Sequence, residues 1–389
     1  MKIGIVTSHT SFKNNYGAVL QCYALCEQLK LWNIEPHVIN YTYQNSAMTV
    51  GMATRESHSI FNRLKYIFSG DVGFIQKIQY RLNRKNRMAM EKLFVDFYKT
   101  YIPMTSAEGK SFEEICENGF GYDGYITGSD QVWNPIIHNN QNDPCCFLQF
   151  AEDGAKRIAY APSFGIAELP ENCKENLKKY VDTFDAVSVR EVSGQKILFD
   201  AMGKEYPIVL DPTMMADEKI YQSISSNKPK NLPEHYILCY RFGKVKYFED
   251  ILKKVSRKLG LPVVELPLSI ESYGKRSRKT YSVGPAEFIG TIKGADLVMT
   301  DSFHCSVFSI LNHKPFYTFY RQANHDKNSM NGRMADLLDK LNLQDRLIAN
   351  AEDYKKIDFS LAINYDGVDE KLSQNRQTSQ EYLKKALGL

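Results

Sequence analysis

The apolar residues of this chain fall into short continuous runs, and most runs end in small, charged or amide side chains. Lys2-Ile3-Gly4-Ile5-Val6-Thr7-Ser8 is the first such run, and the loop from His9 to Gly17 follows it. From about Ala18 to Trp32 the period changes, and Val19, Cys22, Cys26 and Leu29 share one helical stripe. Asn33-Ile34-Glu35-Pro36 closes that helix, and His37-Val38-Ile39-Asn40-Tyr41 reads as a second strand. Strand, loop, helix and strand in this order join parallel strands, so a parallel sheet is expected.

Residues 45–118 break the rhythm. They are rich in Arg, Lys, Met and aromatics and read as helices or an insertion. The βα alternation resumes with strands over 122–130 and 157–161, a helix near 174–184, the strand 186–190, a helix near 193–202 and a strand over 208–213. Residues 216–233, with Ser223-Ile224-Ser225-Ser226-Asn227, form a linker. A second series begins at Tyr236 and runs through helix 245–260, strand 263–266, helix 285–293, strand 296–300, a helix from 302, strand 316–319 and helix 332–341. A last helix, about 369–387, follows. The pattern divides the chain into an N-terminal domain over 1–215, a C-terminal domain over 216–368 and a helix in 369–389 that crosses back to the first domain. The fold class is α/β, with two Rossmann-like domains facing across a cleft.

In such sheets, ligands bind outside the carboxyl ends of the strands. The polar residues that directly follow apolar runs are therefore the candidates. They are Asn14, Asn15 and Gly17; Ser129 and Asp130; Ser163 and Gly165; Arg190 and Glu191; Asp211; Arg241; and Asp301, Ser302 and His304. The stretch Asp296 to Val307 is the most pointed of these, because a strand, a polar turn, a histidine and a helix start follow one another.

Composition narrows the class. The chain has 389 residues, 43% of them hydrophobic and 24% charged, as expected of a globular protein with two or three cores. A net charge of +4 is too small to argue for nucleic acid, and it suits an anionic small molecule or an anionic membrane surface. The apolar start is too short for a signal peptide, and no run is long enough to span a bilayer, so a cytoplasmic location is expected. The basic run Arg81-Leu82-Asn83-Arg84-Lys85-Asn86-Arg87 is either a solvated helix face or a patch that rests on anionic headgroups. Eight scattered cysteines are cytosolic usage. Cys22 and Cys26 lie one helical turn apart, but no second ligand pair accompanies them, so no metal site is expected. No Gly-x-Gly-x-x-Gly follows the first strand, and no Walker loop or Gly-x-Ser-x-Gly elbow occurs, which argues against a nicotinamide or flavin cofactor.

The segments Asn15-Tyr16-Gly17-Ala18-Val19-Leu20-Gln21, Gly128-Ser129-Asp130-Gln131-Val132-Trp133-Asn134, Ala161-Pro162-Ser163-Phe164-Gly165, Ser188-Val189-Arg190-Glu191, Leu210-Asp211-Pro212-Thr213 and Thr300-Asp301-Ser302-Phe303-His304 resemble the polysaccharide pyruvyl transferase family. The resemblance runs in order from about residue 3 to 346. It implies a GT-B-like pair of domains, with the acceptor on the N-terminal side and the donor on the C-terminal side. It also implies transfer of pyruvate from phosphoenolpyruvate to a hexose of a surface glycan or its lipid-linked precursor, as a cyclic ketal. That chemistry needs no cofactor or metal, and the donor is itself a substrate. Such an acceptor would bring the protein to the cytoplasmic face of a membrane.

Under this reading, an anionic donor needs cations, and arginine binds carboxylate and phosphate with a two-pronged fork. Arg190 and Arg241 are the main donor candidates, and Arg333 and Lys327 are weaker ones. Arg190 is alternatively a salt-bridge partner of Glu191 or Asp211. His304 binds the donor phosphate or delivers a proton, and imidazole suits both roles. Ser302 joins it in the donor site. Asp130 is the expected base toward the acceptor hydroxyl, unless it only caps the following segment. Asp301 competes for that role or orients His304. Asn15, Gly17, Ser129 and Trp133 are the acceptor-side candidates, and Tyr16, Trp133 and Phe164 are either sugar-stacking faces or core. A nucleotide-sugar glycosyltransferase of the same fold, with Arg190 and Arg241 on a diphosphate, and a non-catalytic sugar- or phosphate-binding protein are the alternatives.

Overall fold

The computed structural model describes residues 1–8, 15–41, 74–109, 111–224, 228–243, 245–266, 280–321 and 331–389. Asn14, Lys327 and much of the loop after the first strand lie outside the described residues, as does 45–73 of the expected insertion.

Two parallel sheets organise the described chain. The first holds β1 (Lys2–Val6), β2 (Glu35–Tyr41), β3 (Met104–Gly109), β4 (Gly124–Thr127), β5 (Lys156–Ala159) and β6 (Ala186–Val187), in the spatial order β3-β2-β1-β4-β5-β6. The second holds β7 (Ile237–Tyr240), β8 (Val263–Glu265), β9 (Leu297–Thr300), β10 (Phe316–Phe319) and β11 (Leu347–Ile348), in the order β11-β10-β9-β7-β8. Both are doubly wound orders. Strand order reverses between β1 and β4 in the first and between β7 and β9 in the second, and each reversal opens a crevice at the strand carboxyl ends. All four residues of β4, β7, β9 and β10 are buried. Strands covered on both faces read as continuous apolar runs, which is the pattern the sequence shows.

The helices are α1 (Tyr16–Leu31), α2 (Phe74–Leu82), α3 (Arg84–Tyr101), α4 (Phe112–Asn118), α5 (Glu171–Val181), α6 (Val192–Met202), α7 (Pro212–Met215), α8 (Lys219–Gln222), α9 (Lys246–Leu259), α10 (Pro285–Lys293), α11 (Phe303–Leu311), α12 (Gly332–Lys340) and α13 (Asp366–Leu387).

The central helix differs from its expected form. A single apolar stripe is expected for α1, yet every residue from Tyr16 to Cys26 is buried, on all faces. The reason is its position. It lies on the first sheet and also meets α7, α10 and α11. Tyr16 stacks on Phe288 of α10 with ring centroids 4.2 Å apart, and its hydroxyl donates to the Val283 carbonyl at 2.9 Å. One continuous core therefore runs from Ile5 and Leu25 to Val298 and Phe308. A helix buried all round belongs between two layers.

Two further elements depart from expectation. The segment 208–213 forms only a single bridge, Ile208 to Val189, before Asp211 caps α7 with its side chain and Pro212 opens the helix. Proline has no N–H for a sheet but fits the first helical turn. Conversely, Met104–Gly109 is a strand inside the expected helical insertion. Its polar sequence suits the sheet edge it occupies. At the other end, α13 lies across β5 and the 210–216 segment. The Leu210 N–H donates to Ser379 Oγ at 3.0 Å, Arg376 donates to the Met214 carbonyl at 2.9 Å, and Lys156 Nζ donates to the Leu387 carbonyl at 2.9 Å.

Candidate functional site

The site forms where the carboxyl ends of the two sheets meet. From the first half come Asp130 after β4, Arg190 after β6, and Asp211 at the start of α7. From the second come His304 in the first turn of α11 and Phe303 beside it. Ser302 caps α11, its hydroxyl accepting from the Cys305 N–H at 3.4 Å. This leaves the amino end of α11, with its partial positive charge, under His304. Asn15 caps α1 in the same way through the Ala18 N–H.

Asp211 is the hub. It is fully buried, and Oδ2 accepts from Ser129 Oγ at 2.8 Å and from Arg190 Nη1 at 2.8 Å. Oδ1 accepts from the Thr213 N–H at 3.0 Å and Oγ1 at 2.6 Å. His304 Nε2 lies 3.4 Å from Oδ2, across the joint between the halves. Burial pushes the Asp211 carboxyl up, but the nearby His304 and Arg190 and the donated hydrogen bonds outweigh it and hold it well below the usual carboxylate range.

Arg190 is also buried. Glu191 lies 3.4 Å from Nε, Asp130 lies 3.7 Å from Nη2, and the guanidinium sits 4.6 Å over the Phe303 ring. Burial lowers its pKa, but Asp211, Glu191 and Asp130 more than reverse the effect. Within this cluster, Arg190 Nη2 and His304 Nε2 nonetheless make no hydrogen bond among the described residues. The 3.4 Å approach of His304 to Asp211 is thus an electrostatic contact rather than a well-directed hydrogen bond.

Gly17 has a steric role. A Cβ placed there would lie 2.2 Å from His304 Nδ1, so the imidazole rests directly on the backbone of α1. Only glycine permits that approach.

The cleft beside this cluster is lined from both halves by Arg190, Glu191, Leu210, Asp211, Met214, Phe303, Arg333, Asp336, Leu337 and Lys340. Asp336 of α12 accepts from the Val192 N–H of α6 at 2.9 Å, which ties the halves together beside it. Arg333 is buried here, and that burial, with repulsion from Arg190 and Arg321, brings its pKa down to about 10. Arg321 packs 4.4 Å over the Phe242 ring and donates to the Asp301 carbonyl at 3.1 Å. Three arginines therefore converge, only one of which, Arg190, follows from the sequence as a main donor candidate.

Several expected site residues stand elsewhere. Asp301 is neither a free base nor the group that orients His304. Its carboxylate accepts the Phe242 and Gly243 N–H groups at 2.7 and 2.6 Å, pinning the loop after β7 at the switch point. Arg241 is paired with Glu249 at 3.1 Å and Glu265 at 3.4 Å, so two carboxylates already cancel its charge. Ser129 does not face a ligand. It is fully buried, and its hydroxyl is committed to Asp211 and the Ala161 carbonyl. Trp133 offers no sugar face either, because it is stacked on Phe147 at 4.7 Å inside the core, and its Nε1 donates to the Cys146 carbonyl at 3.0 Å. Tyr16 and Phe164 are core as well. Asp130 sits beside Arg190 with φ of +61°, a backbone conformation that costs energy outside glycine and persists only where surroundings impose it.

Gln21 is a structural partner that the sequence gives no sign of. Its side chain donates to Thr7 Oγ1 at 2.8 Å and accepts from the Ser129 N–H at 3.3 Å, filling the β1/β4 crevice. The only group of ligand-type side chains close enough to share a metal, among the described residues, is His138, Asp143 and Cys146. His138 Nδ1 faces Asp143 at 3.4 Å, whereas Nε2 faces the Val132 carbonyl at 3.2 Å and Cys146 at 4.0 Å. One imidazole addresses its neighbours with opposite nitrogens, which is the arrangement of a hydrogen-bonded strut. Cys22 and Cys26 are buried in α1.

Two doubly wound parallel domains with the site at their joint define a GT-B-like protein. One solved structure bears out that class, and two others stand beside it as likeness alone. The UDP-GlcNAc 2-epimerase of Methanocaldococcus jannaschii aligns over 96% of this chain and 92% of its own at 10% identity, with a TM-score of 0.50. The same enzyme in complex with UDP-GlcNAc and UDP aligns over 100% and 99% at 12% identity, with a TM-score of 0.46. A Staphylococcus aureus TarM mutant in complex with fondaparinux, alpha-GlcNAc-glycerol and UDP aligns over 100% and 99% at 10% identity, with a TM-score of 0.47. At such identities the likeness concerns fold alone. A sequence comparison with curated proteins gave no match. Within this class, the chain belongs to the polysaccharide pyruvyl transferase family, whose profile matches residues 15–322.

Proposed function

We propose that this enzyme transfers the pyruvyl group of phosphoenolpyruvate to a hexose of a surface polysaccharide or its lipid-linked precursor, closing a cyclic ketal. The observation that carries the donor assignment is the pair of buried nitrogens, Arg190 Nη2 and His304 Nε2, that make no hydrogen bond on either side of Asp211. An unsatisfied buried donor costs about 1–3 kcal/mol, and a bound anion removes that cost. Arg321 and Arg333 add charge for a second anionic group of the donor, which carries both phosphate and carboxylate.

The chemistry needs a proton on the donor's methylene carbon, which leaves an oxocarbenium ion at the adjacent carbon. A sugar hydroxyl adds there and loses its proton. The C–O bond to phosphate then breaks, and the second hydroxyl closes the ring as its own proton leaves. In this reading His304 supplies the first proton or assists phosphate departure, with Asp211 beside its ring. Asp130, next to Arg190, accepts the hydroxyl proton in the same reading.

The test is incubation with phosphoenolpyruvate and a panel of free and lipid-linked hexosides, following phosphate release and acceptor mass. A gain of pyruvate minus water, lost on the order of 100-fold or more in His304→Ala, is expected. Turnover of a nucleotide sugar without acceptor-dependent phosphate release would sink the reading.

A further inference from the structure

On α3 the residues Lys85, Met88, Lys92, Val95 and Lys99 are all solvent-exposed, and their spacing of three and four places them on one face. Met88 is 56% exposed and Val95 48%, and sharing one face makes them a patch rather than scattered side chains. The neighbouring α2 ends in Leu82, at 72% the most exposed large apolar side chain among the described residues. None of the three stripe lysines is in an ion pair among the described residues. Glu91 and Asp96 lie at the margins of the stripe, and so leave its centre basic and apolar.

The opposite face of α3 reaches the site. Met90 Sδ lies 3.5 Å from the Tyr16 hydroxyl, and Phe94 packs on the Tyr16 ring at 5.1 Å. Tyr16 is the residue before Gly17, on which His304 rests. The outer stripe is thus separated from the start of α1 by one helix diameter, about 10 Å. Arg87 of the basic run instead turns inward, stacking 3.5 Å over Tyr80.

We propose that this face of α3, with Leu82, docks the enzyme on an anionic lipid surface. Lysines alternating with exposed apolar side chains along one helix face match the two components of such a surface. The ammonium groups meet the headgroups, while Met88, Val95 and Leu82 enter the boundary of the acyl layer. The consequence for the reaction rests on the acceptor being lipid-linked. Docking on α3 brings the enzyme to the membrane that carries it.

Sedimentation with vesicles tests this without turnover, so its failure is separate from failure of the pyruvyl transfer reading. Binding is expected to vesicles of phosphatidylcholine with phosphatidylglycerol, not to phosphatidylcholine alone, and to weaken with salt. The combined Lys85→Gln, Lys92→Gln, Lys99→Gln variant should lose roughly 100-fold in binding, at about fivefold per lysine. Met88→Ser with Val95→Ser should weaken it independently. All these side chains are exposed, so far-ultraviolet dichroism and activity on a water-soluble acceptor should stay unchanged. Equal binding to neutral vesicles, a lysine variant that sediments like the native protein, or a dimer that the same changes dissociate would each overturn the proposal.

Discussion

At the scale of single residues, the site depends on one carboxylate and one missing side chain. Asp211 is legible in the sequence only as a polar strand end and as a salt-bridge partner for Arg190. Its contact with His304 joins residues 93 positions apart, and no local pattern can show that. The sequence points instead to Asp301, three residues before the histidine, and closeness along the chain misleads here. The turn after β9 aims Asp301 back at the β7 loop, while α11 aims His304 at the other half. Gly17 is better marked, because a glycine in a turn near a candidate site suggests close approach, although what approaches is the protein's own histidine. Gly17→Ala should displace the imidazole, since its Cβ would lie 2.2 Å from Nδ1. A loss of about 100-fold in kcat is expected, measured by phosphate release, with a stability cost of about 1–3 kcal/mol from the overpacking. Full activity in this variant would mean that the placement of His304 is unimportant.

At the scale of elements, strands with continuous apolar runs and the helices that alternate with them are legible. The expected helix 285–293 and strand 316–319 match the structure, because local pattern and environment agree there. The strand inside the insertion is not legible, because it is polar and an edge strand carries little of the apolar signature. The tryptophan after β4 shows the other limit. A Trp in a motif-like segment suits both a sugar face and a core, and only packing decides. The last helix matters beyond its own stability, because Ser379 and Arg376 hold the segment that presents Asp211. Leu383 is completely buried in α13, and Leu383→Ala should cost about 2–5 kcal/mol in denaturant unfolding. If α13 instead unfolds alone, the variant should show a separate early transition while the sheets stay folded.

At the scale of the molecule, both halves share a core and an ionic joint. The joint gives the protein a defined acid sensitivity. The folded-state pKa of Asp211 is depressed, so its ionised form contributes its full stability above the unfolded carboxyl value of about 3.9. That contribution is lost as pH falls below this value toward the folded one. Asp211→Asn should be less stable than the native protein near neutrality, by about 3–5 kcal/mol, because Arg190 loses its nearest counter-charge. The gap should narrow in acid, as the native protein loses what the variant lacks. Parallel stability curves for the two proteins would show that Asp211 is not held ionised by the fold.

By itself the sequence determined the class of this protein: parallel α/β halves, the strand-end positions from which a site can be built, and motifs specific to one family. These depend on local periodicity and on residue types that turns and helix ends require. Only the tertiary structure decided which strand-end residues meet. It brought Arg190, Asp211 and His304 together with Arg321 and Arg333, and withdrew Trp133, Ser129, Asp301 and Arg241 into packing, hydrogen bonds and ion pairs. The reason is physical. A side chain's work is set by the partners across the joint between two sheets, and those partners are separated along the chain by distances that no local pattern spans.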